Sequence, residues 1–600
     1  MKASLLLWAA VVSLSGSMTL VAGNARTADS FSADLNDAGT AVSQSAEYQA
    51  DVPKTIIELQ SFRRSASVEF QMSGDRGTAT LVNLNPQINT WFLLRLHWAG
   101  AGKTLSYHLE NPLPKTQMLA LSPTYPYGIQ IVVDGHGVDC NLWQDGRVMI
   151  LQQAQRLGLP YAPLCEDRLF LRNAVAGTYT QLERVTNFLR DHVWGGERIV
   201  GFVRKQFFED AFIEKADADA AAQVPLTRIA SAEGPQPPQI SAAFTAISVI
   251  PEHLGIDVGL RSNAIVLGRW YPVRDAAGIF LSLIQPQAVG APKLSSKKDT
   301  LSPLDSVEAA AVDYMVALDL AQFDLGFALG TDHPRVGWSE RVLDAVRDPK
   351  LAGPDGIGSV APLVVNGIVN PSTVERVAAT FAGGFKREHG AFRFGALAQQ
   401  NHGTHYGFIE QGVVFSKLQP ELATLIVTDD GDVRMKTWTA DDGPLLPHIQ
   451  FARQNGVPLI DYHHNSGISS PGALVDNWGA GNWSGSNDER LRTLRAGLCL
   501  QVTGRARYLV FGFFSTATPS AMARVFQAYG CRYAMHLDMN ALEHTYFAIY
   551  TLSNGRIVVQ HLIEGMAEVD RKGGDELAPR FLSFPDDRDF FYLTRKQNAP

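Results

Sequence analysis

Histidines gather in the second half of the chain, beside carboxylates and amides. Ten of the 15 histidines lie from His333 onward, in under half of the 600 residues. Imidazole moves protons near neutral pH, and carboxylates act as general acids, bases or nucleophiles. The histidines therefore predict a site for proton transfer here. Their glycine-rich or polar segments are 331–333 (TDH), 383–390 (GGFKREHG), 401–407 (NHGTHYG), 461–465 (DYHHN) and 536–544 (HLDMNALEH).

Familiar catalytic and metal-binding motifs are absent from the sequence. It contains no phosphate-binding Walker loop, no G-x-S-x-G elbow and no H-E-x-x-H pair. His402 and His405 are three residues apart in a glycine-rich loop, but such a pair is common by chance. We therefore predict no bound metal and no cofactor.

Local patterns predict the elements that position these residues. An apolar stretch at 422–428, a turn at 429–431 and a returning stretch at 433–438 indicate a hairpin. A strand at 508–511 precedes a helix capped by Thr518 and ended by Gly530. The next predicted strand, 533–537, leaves Asp538 at its carboxyl end. A second hairpin is predicted for 546–552 and 556–562.

The first half has a different pattern. Short alternating stretches from 66 to 133 predict strands, 149–157 and 180–210 read as helical, and 215–240 is rich in Ala, Asp and Pro. We predict an α+β protein, with a β-rich N-terminal domain followed by a larger mixed α/β domain. The predicted divisions are a signal peptide (1–25), a flexible N-terminus (26–60), a β-rich domain with a helical end (61–214), a linker (215–240) and a second domain (241–600).

Six short motifs in the second half resemble, in order, those of the phosphodiester glycosidase family, also seen in exopolysaccharide-associated proteins. The resemblance covers the segment from about Val316 to His561, roughly 240 of the 600 residues. Ala382 replaces the family's usual Asn, and 539–541 (MNA) replaces its glycine turn. The motifs are 381–386 (FAGGFK), 406–414 (YGFIEQGVV), 422–431 (LATLIVTDDG), 452–461 (ARQNGVPLID), 495–498 (RAGL) and 534–538 (AMHLD).

This resemblance implies a larger domain with the phosphodiester glycosidase fold and cleavage of a sugar linked through a phosphodiester or a related linkage. Phosphate oxygens require cationic donors, and cleavage requires an acid and a carboxylate. Surface ion pairs, turn caps and backbone geometry are the alternative roles for these residues. The predicted catalytic residues are Asp538, Asp461 and His536, and the predicted substrate-binding residues are Lys386, Arg453, Arg495, Gly383, Gly384, His402 and His405.

Two tryptophans lie in the glycine- and asparagine-rich stretch 476–488. The faces of Trp478 and Trp483 suit the apolar surfaces of sugar rings, so we add Trp483 to the predicted substrate-binding residues. Anchoring of the loop is the alternative role.

Composition and cysteine spacing indicate an exported protein. Lys2, the apolar stretch 5–14 and the small residues 23–25 resemble a cleaved secretory signal, and no later segment is apolar enough to span a membrane. The net charge of -8 gives no support for nucleic-acid binding. The simplest disulfide pairing joins Cys140 to Cys165 and Cys499 to Cys531.

Three functions fit these observations. The first is a secreted or periplasmic hydrolase acting on a glycan or sugar phosphodiester, with a carbohydrate or sugar phosphate as its partner. The second is a non-catalytic protein for glycan binding or envelope polysaccharide assembly. The third is a metal-dependent hydrolase that would use His402, His405, His463, His464 and His536.

Overall fold

The computed structural model describes a chain dominated by strands. Residues 56–57, 59–72, 75–100, 102–143, 149–179, 234–260, 264–289, 301–333, 338, 342–348, 359–386, 395–476, 491–553, 556–573 and 576–597 are described. Strands account for 44% and helices for 14%, so the predicted α+β class is confirmed as a mixed but β-dominated chain. The predicted signal peptide, the helix at 180–210, Trp478 and Trp483 lie outside the described residues.

The strands and helices, in chain order, have the following bounds. The strands are β1 Arg64–Met72, β2 Asp75–Asn83, β3 Trp91–Trp98, β4 Lys103–Glu110, β5 Gln117–Ser122, β6 Tyr125–Val133, β7 His136–Asn141, β8 Tyr161–Leu164, β9 Leu169–Arg172, β10 Ser248–Val249, β11 Ile265–Val266, β12 Tyr271–Pro272, β13 Ile279–Ile284, β14 Asp313–Asp319, β15 Phe323–Ala328, β16 Val377–Ala382, β17 Phe408–Glu410, β18 Val413–Ser416, β19 Ala423–Thr428, β20 Val433–Thr437, β21 Ile449–Gln454, β22 Ile460–His463, β23 Ile468–Pro471, β24 Thr493–Thr503, β25 Ala506–Ala517, β26 Cys531–Met539, β27 Phe547–Ser553, β28 Arg556–His561, β29 Arg571–Gly573, β30 Glu576–Ala578 and β31 Phe590–Arg595. The α-helices are α1 Met149–Arg156, α2 Ser306–Ala310, α3 Gly395–Asn401 and α4 Pro519–Ala528, and the 3₁₀ helices are Ala242–Phe244, Pro286–Ala288, Asp344–Val346, Pro371–Arg376, Ala440–His448 and Glu564–Val569.

An eight-stranded antiparallel sheet forms the central layer of the second half. Its strand order is β12-β13-β14-β25-β24-β26-β22-β23. Side chains alternate between its two faces, as the two-residue period of a strand requires. Val316 and Phe511 pack into the larger core, while Met315 and Val510 face a second core that also contains Phe526 of α4. The sheet is therefore covered on both faces, which explains its long apolar strands.

Two five-stranded sheets position the glycine turn, Arg453 and the segment before the last strand listed above. One has the order β15-β31-β16-β27-β28, and the other β18-β17-β21-β19-β20. β16 ends just before Gly383 and β31 begins just after Asp589, and these two strands are antiparallel neighbours. The chain's last strand thus brings residues 586–589 to the glycine turn, although about 200 residues separate them in sequence.

The N-terminal strands form a six-stranded sheet and a three-stranded sheet. Their orders are β1-β2-β3-β4-β9-β8 and β5-β6-β7. Hydrogen bonds connect these strands to the second half, including Arg172 Nε to Asn366 Oδ1 at 2.7 Å. The Gln60 amide also donates to Val414 O at 2.8 Å. The domain boundaries stay a prediction.

Several local sequence predictions are confirmed. β19 pairs with β20 and β27 pairs with β28 as the two predicted hairpins. Thr518 caps α4 by accepting a hydrogen bond from Ala521 N, and Gly530 follows the helix with a φ of +67°. In this conformation glycine avoids the steric penalty of a side chain.

Both predicted disulfides are present. Cys140–Cys165 lies in the N-terminal half, and Cys499–Cys531 connects β24 to the start of β26. Disulfides persist in oxidising compartments, so they fit a location outside the cytosol. Within the described part of the chain, no helix is long and apolar enough to cross a membrane.

Candidate functional site

Several buried charges of the second half converge on residues 586–589 (DDRD), just before β31. Asp586, Asp587, Arg588 and Asp589 are all at most 3% exposed. Charges that are this deeply buried require partners, because they lose their hydration. Each of the four side chains pairs with a different part of the chain. We call these four residues, together with Lys386, Arg453, Asp538 and Arg580, the DDRD cluster.

Lys386 follows the glycine turn after β16 and pairs with two carboxylates. Its Nζ contacts Asp587 Oδ2 and lies 3.6 Å from Asp332 Oδ2. It also lies 4.9 Å from the centre of the Tyr179 ring, whose hydroxyl donates to Asp332 at 3.2 Å. The Lys386 and Asp332 side chains are 8% and 11% exposed. Of the ion pairs around residues 586–589, this one lies closest to solvent.

Arg453 lies on β21 and is fully buried. Its Nε is 3.1 Å from Asp589 Oδ2, and its Nη2 donates to Phe385 O at 2.7 Å. Asp589 also accepts a hydrogen bond from Gly330 N at 3.0 Å. Arg453 therefore connects β21, the residues after the glycine turn and the DDRD segment.

Asp538, near the end of β26, is held by Arg588. Arg588 Nη1 donates to Asp538 Oδ2 at 2.7 Å, and Met539 N donates to Asp538 Oδ1 at 2.8 Å. Arg588 Nη2 also contacts His544 Nε2. The fourth pair is a two-bond fork from Arg580 to Asp586, at 2.7 and 2.9 Å. Such forked pairs are among the strongest hydrogen-bonded contacts in proteins.

The two glycines of the predicted turn fit against the cluster. Gly383 N donates to Asp589 O at 2.7 Å. Gly384 has a φ of +145°, and a Cβ there would lie 3.1 Å from Asn455 Oδ1 and 3.4 Å from Arg453 Nη2. Backbone conformation and close packing thus account for Gly384.

The structure brings the charged predicted residues Lys386, Arg453 and Asp538 together beside the two glycines, but it places Asp461 elsewhere. Asp461 Oδ1 accepts hydrogen bonds from Thr437 Oγ1 at 3.2 Å and from Tyr462 N at 2.9 Å. Its neighbour Ile460 pairs with Ala534, four residues before Asp538 on β26. Four residues of strand span roughly 13 Å. Asp461 is therefore outside the DDRD cluster.

Arg495 and His536 contact each other inside the central sheet. Arg495 Nη1 lies 3.1 Å from His536 Nε2, while its Nε and Nη2 donate to Ala517 O and Leu491 O. His536 stacks on Phe385, with 5.2 Å between the ring centres. Burial, and then the charge of Arg495, lower the pKa of His536 well below its ordinary value. His536 is thus neutral near pH 7, and its predicted catalytic role stays a prediction.

The histidines of the segment 401–407 lie beside the cluster. His405 is buried, and its ring centre is 5.2 Å from that of His333. His333 Nε2 in turn lies 3.8 Å from Asp589 Oδ2. His402 is half-buried, with a φ of +54°. Of the residues that the structure describes, no three His, Cys, Asp or Glu are grouped so that they could hold a metal ion.

Burial raises the pKa of several carboxyl groups, among them Asp589 in the cluster and Glu410. Burial raises the pKa of Asp589 to about 6, although Arg453 and the Gly330 amide oppose the shift. Burial also raises the pKa of Glu410 to about 8, although Arg172 and the Leu329 amide oppose it. Asp589 can therefore hold a proton at mildly acidic pH.

Sequence reasoning missed the DDRD segment itself. A run of four charged residues usually indicates a solvated turn. Here the run is flanked by 581–584 (FLSF) and 590–592 (FFY), and aromatic residues on both sides favour burial. That flanking pattern is the signal that could have identified the segment.

The fold and the cluster define a β-dominated, disulfide-bonded protein with a buried network of ion pairs. No family model and no curated protein matches the chain. A hypothetical protein from Synechocystis matches with a TM-score of 0.23 and 10% identity, over 48% of this chain and 59% of that one. A Burkholderia pseudomallei K96243 protein described only as exported matches with a TM-score of 0.18 and 11% identity, over 47% of this chain and 74% of that one. The match thus spans less than two thirds of the Synechocystis protein, and scores this low assign neither fold nor function.

Proposed function

We propose that the protein is a secreted or periplasmic hydrolase that cleaves a glycan or a sugar phosphodiester at the DDRD cluster. One observation carries the proposal: two carboxyl groups of the cluster have contrasting environments. Burial raises the pKa of Asp589 to about 6, whereas Asp538 accepts hydrogen bonds from Arg588 and Met539 N. Glycoside hydrolysis uses such a pair, with one carboxyl protonated and one ionised.

The roles follow from these environments. Asp589 donates a proton to the leaving oxygen, and the Asp538 carboxylate stabilises the positive charge that develops on the sugar. Lys386 belongs to the ion pair of the cluster that lies closest to solvent, and it binds an anionic group of the substrate. Lys386, Arg453 and Asp538 come from three of the six motifs that resemble phosphodiester glycosidases, and their proximity supports that resemblance.

A second function is favoured by the charge balance of the cluster. Lys386, Arg453 and Arg588 each pair with a carboxylate. Cations that are already neutralised attract an anionic substrate less strongly than unpaired ones. This favours a non-catalytic protein for glycan binding or envelope polysaccharide assembly. The metal-dependent hydrolase stays a prediction, and no group of ligands among the described residues favours it.

Hydrolysis is tested on full-length protein with acidic exopolysaccharide and with bis(p-nitrophenyl) phosphate. Reducing ends and nitrophenol are measured. We expect Asp538→Asn to lower kcat by about 100-fold or more, while Asp461→Asn, a carboxylate on the neighbouring strand, stays within about twofold of wild type. Circular dichroism and the unfolding midpoint establish that both variants fold. Equal activity of the two variants would remove Asp538 from the mechanism.

The pH profile separates the two functions. Because Asp589 must be protonated to act as the acid, kcat should fall as pH rises through about 6. Asp589→Asn should abolish that limb together with most of the activity. If wild type binds the polysaccharide saturably but releases no product at any pH between 4 and 8, the non-catalytic function is correct.

A further inference from the structure

A cavity of about 250 Å³ lies where the N-terminal sheet meets the second half. It is outside the DDRD cluster and is partly open to solvent. One side is formed by β4, β9 and the end of α1 with Gly158, and the other by Pro362 and Val364. Polar residues line much of it: Ser106, His108, Gln155, Arg172 and Asn173. We call it the Arg172 cavity.

Arg172 is 3% exposed, and its contacts leave part of the guanidinium unused. Nε donates to Asn366 Oδ1 at 2.7 Å and lies 3.4 Å from Glu110 Oε2. The group stacks over the Trp91 ring, 3.7 Å from its centre. Nη1 is buried and has no acceptor among the residues described here. A buried donor without an acceptor is rare, because it has given up its hydrogen bonds to water.

His108 presents a second buried donor beside the first. It is the direct cross-strand partner of Arg172, so the two side chains lie on the same face. His108 Nδ1 accepts a hydrogen bond from Val364 N at 3.3 Å, which assigns the proton of the neutral ring to Nε2. Burial and Arg172 lower the pKa of His108, so this neutral form prevails. Within the described chain, Nε2 has no partner either.

We infer that the Arg172 cavity binds a sugar acid, whose carboxylate accepts hydrogen bonds from Arg172 and His108. Two neighbouring donors without acceptors call for a ligand with two acceptor oxygens, and a carboxylate is such a group. Because Glu110 already balances much of the Arg172 charge, a monoanion fits better than a dianionic phosphate ester. The hydroxyl of Ser106 and the amide of Gln155 suit a polyol, and the volume suits a monosaccharide unit.

The inference is independent of hydrolysis at the DDRD cluster. Binding is measured by isothermal titration calorimetry on the full chain at pH 7. D-glucuronate should bind, and D-glucose, which has the same ring without the carboxylate, should bind at least tenfold more weakly. An oligoglucuronate distinguishes the two sources. Tighter binding than the monomer identifies a polysaccharide residue, and equal affinity identifies a free sugar acid.

Two variants locate the site. Ser106→Phe fills the cavity without removing an ion pair and should weaken D-glucuronate binding at least tenfold. Ser65→Phe, which adds the same ring at an exposed position on β1, should leave it within twofold. Arg172→Lys keeps the charge but loses the second donor and should weaken binding at least fivefold. Equal affinity for D-glucose, no binding of D-glucuronate, or binding unchanged by Ser106→Phe would each overturn the inference.

Discussion

The DDRD cluster and the Arg172 cavity are both buried and polar, but their cations are partnered differently. In the DDRD cluster, Lys386, Arg453 and Arg588 each pair with a carboxylate. In the Arg172 cavity, Arg172 Nη1 and His108 Nε2 have no acceptor in the described part of the chain. Ion pairs fix the chain segments that they join, whereas a donor without an acceptor leaves room for a ligand.

The Glu410 carboxyl interacts electrostatically with charged residues of both regions. Its pKa is affected by Arg172 and Glu110 of the cavity and by Asp589 of the DDRD cluster. It also accepts a hydrogen bond from Leu329 N at 3.1 Å. A change of charge in either region should therefore shift the pKa of Glu410, and this shift can be measured.

The largest effect is expected where a member of a paired network is removed. Asp586→Ala leaves the fully buried Arg580 without its carboxylate, so the free energy of unfolding should fall by about 3–5 kcal/mol. Urea unfolding measures the loss. The control is Asp257→Ala, which removes an exposed partner of Arg274 and should cost less than about 1 kcal/mol. Similar losses in the two variants would mean that the DDRD network contributes nothing beyond a surface pair.

The second prediction concerns the pH dependence of the free energy of unfolding that the ionisation of Glu410 causes. Burial raises its pKa from an ordinary 4.5 to about 8, so the folded state holds this proton more tightly than the unfolded state. The stability that this tightly held proton contributes is fully present below pH 4.5 and is lost as pH rises through 8. Glu410→Gln keeps an acceptor for Leu329 N and removes the titration, so it should stabilise the protein by about 2–4 kcal/mol at pH 9.

At pH 5, Glu410→Gln should change the unfolding free energy by less than about 1 kcal/mol, because the wild-type carboxyl is protonated in the folded state and pH 5 lies only slightly above its ordinary pKa of 4.5 in the unfolded state. Thermal and urea unfolding at both pH values give the comparison. A stabilisation that does not grow with pH would show that Glu410 titrates at its ordinary value and does not link the two regions.

Sequence reasoning succeeded where a few neighbouring residues determine the structure. The cap at Thr518 with Pro519, the ending at Gly530 and the turn at 429–431 all depend on local hydrogen bonds and permitted dihedral angles. The disulfide pairing was also predictable, because the four cysteines form two pairs that are close in sequence.

The candidate site was only partly predictable, because its contacts join distant parts of the chain. Lys386 meets Asp587 across 201 residues, and Arg172 meets Asn366 across 194. Which strands become neighbours is a property of the whole fold: β24, for example, inserts between β25 and β26. Asp461 looked equivalent to Asp538 in sequence, yet the register of β22 on β26 separates them.

The third prediction, with a smaller effect, compares the cost in unfolding free energy of an alanine at one glycine of each region. Gly384→Ala combines a φ of +145° with a Cβ 3.1 Å from Asn455 Oδ1, and should cost about 2–3 kcal/mol. Gly158, which lines the Arg172 cavity, has a φ of +63° and open space around the added Cβ. Gly158→Ala should therefore cost only about 1 kcal/mol. Urea unfolding measures both, and equal costs would show that the packing around Gly384 is loose.

The smallest effect is expected at the unused donor of the cavity. His108→Phe removes the acceptor of Val364 N but also removes the buried Nε2 donor, so the two changes should nearly cancel, within about 1 kcal/mol. The control is His561→Phe, because the buried His561 Nε2 lies 3.0 Å from Asp570 Oδ2. Loss of this pair leaves a buried carboxylate with one partner fewer and should cost about 2–3 kcal/mol.

If His108→Phe costs as much as His561→Phe, His108 Nε2 is already partnered in the free protein, and the contrast between the two regions disappears. A near-neutral His108→Phe that also weakens D-glucuronate binding would instead separate stability from binding at this position, because the donor would then contribute only when the ligand is present.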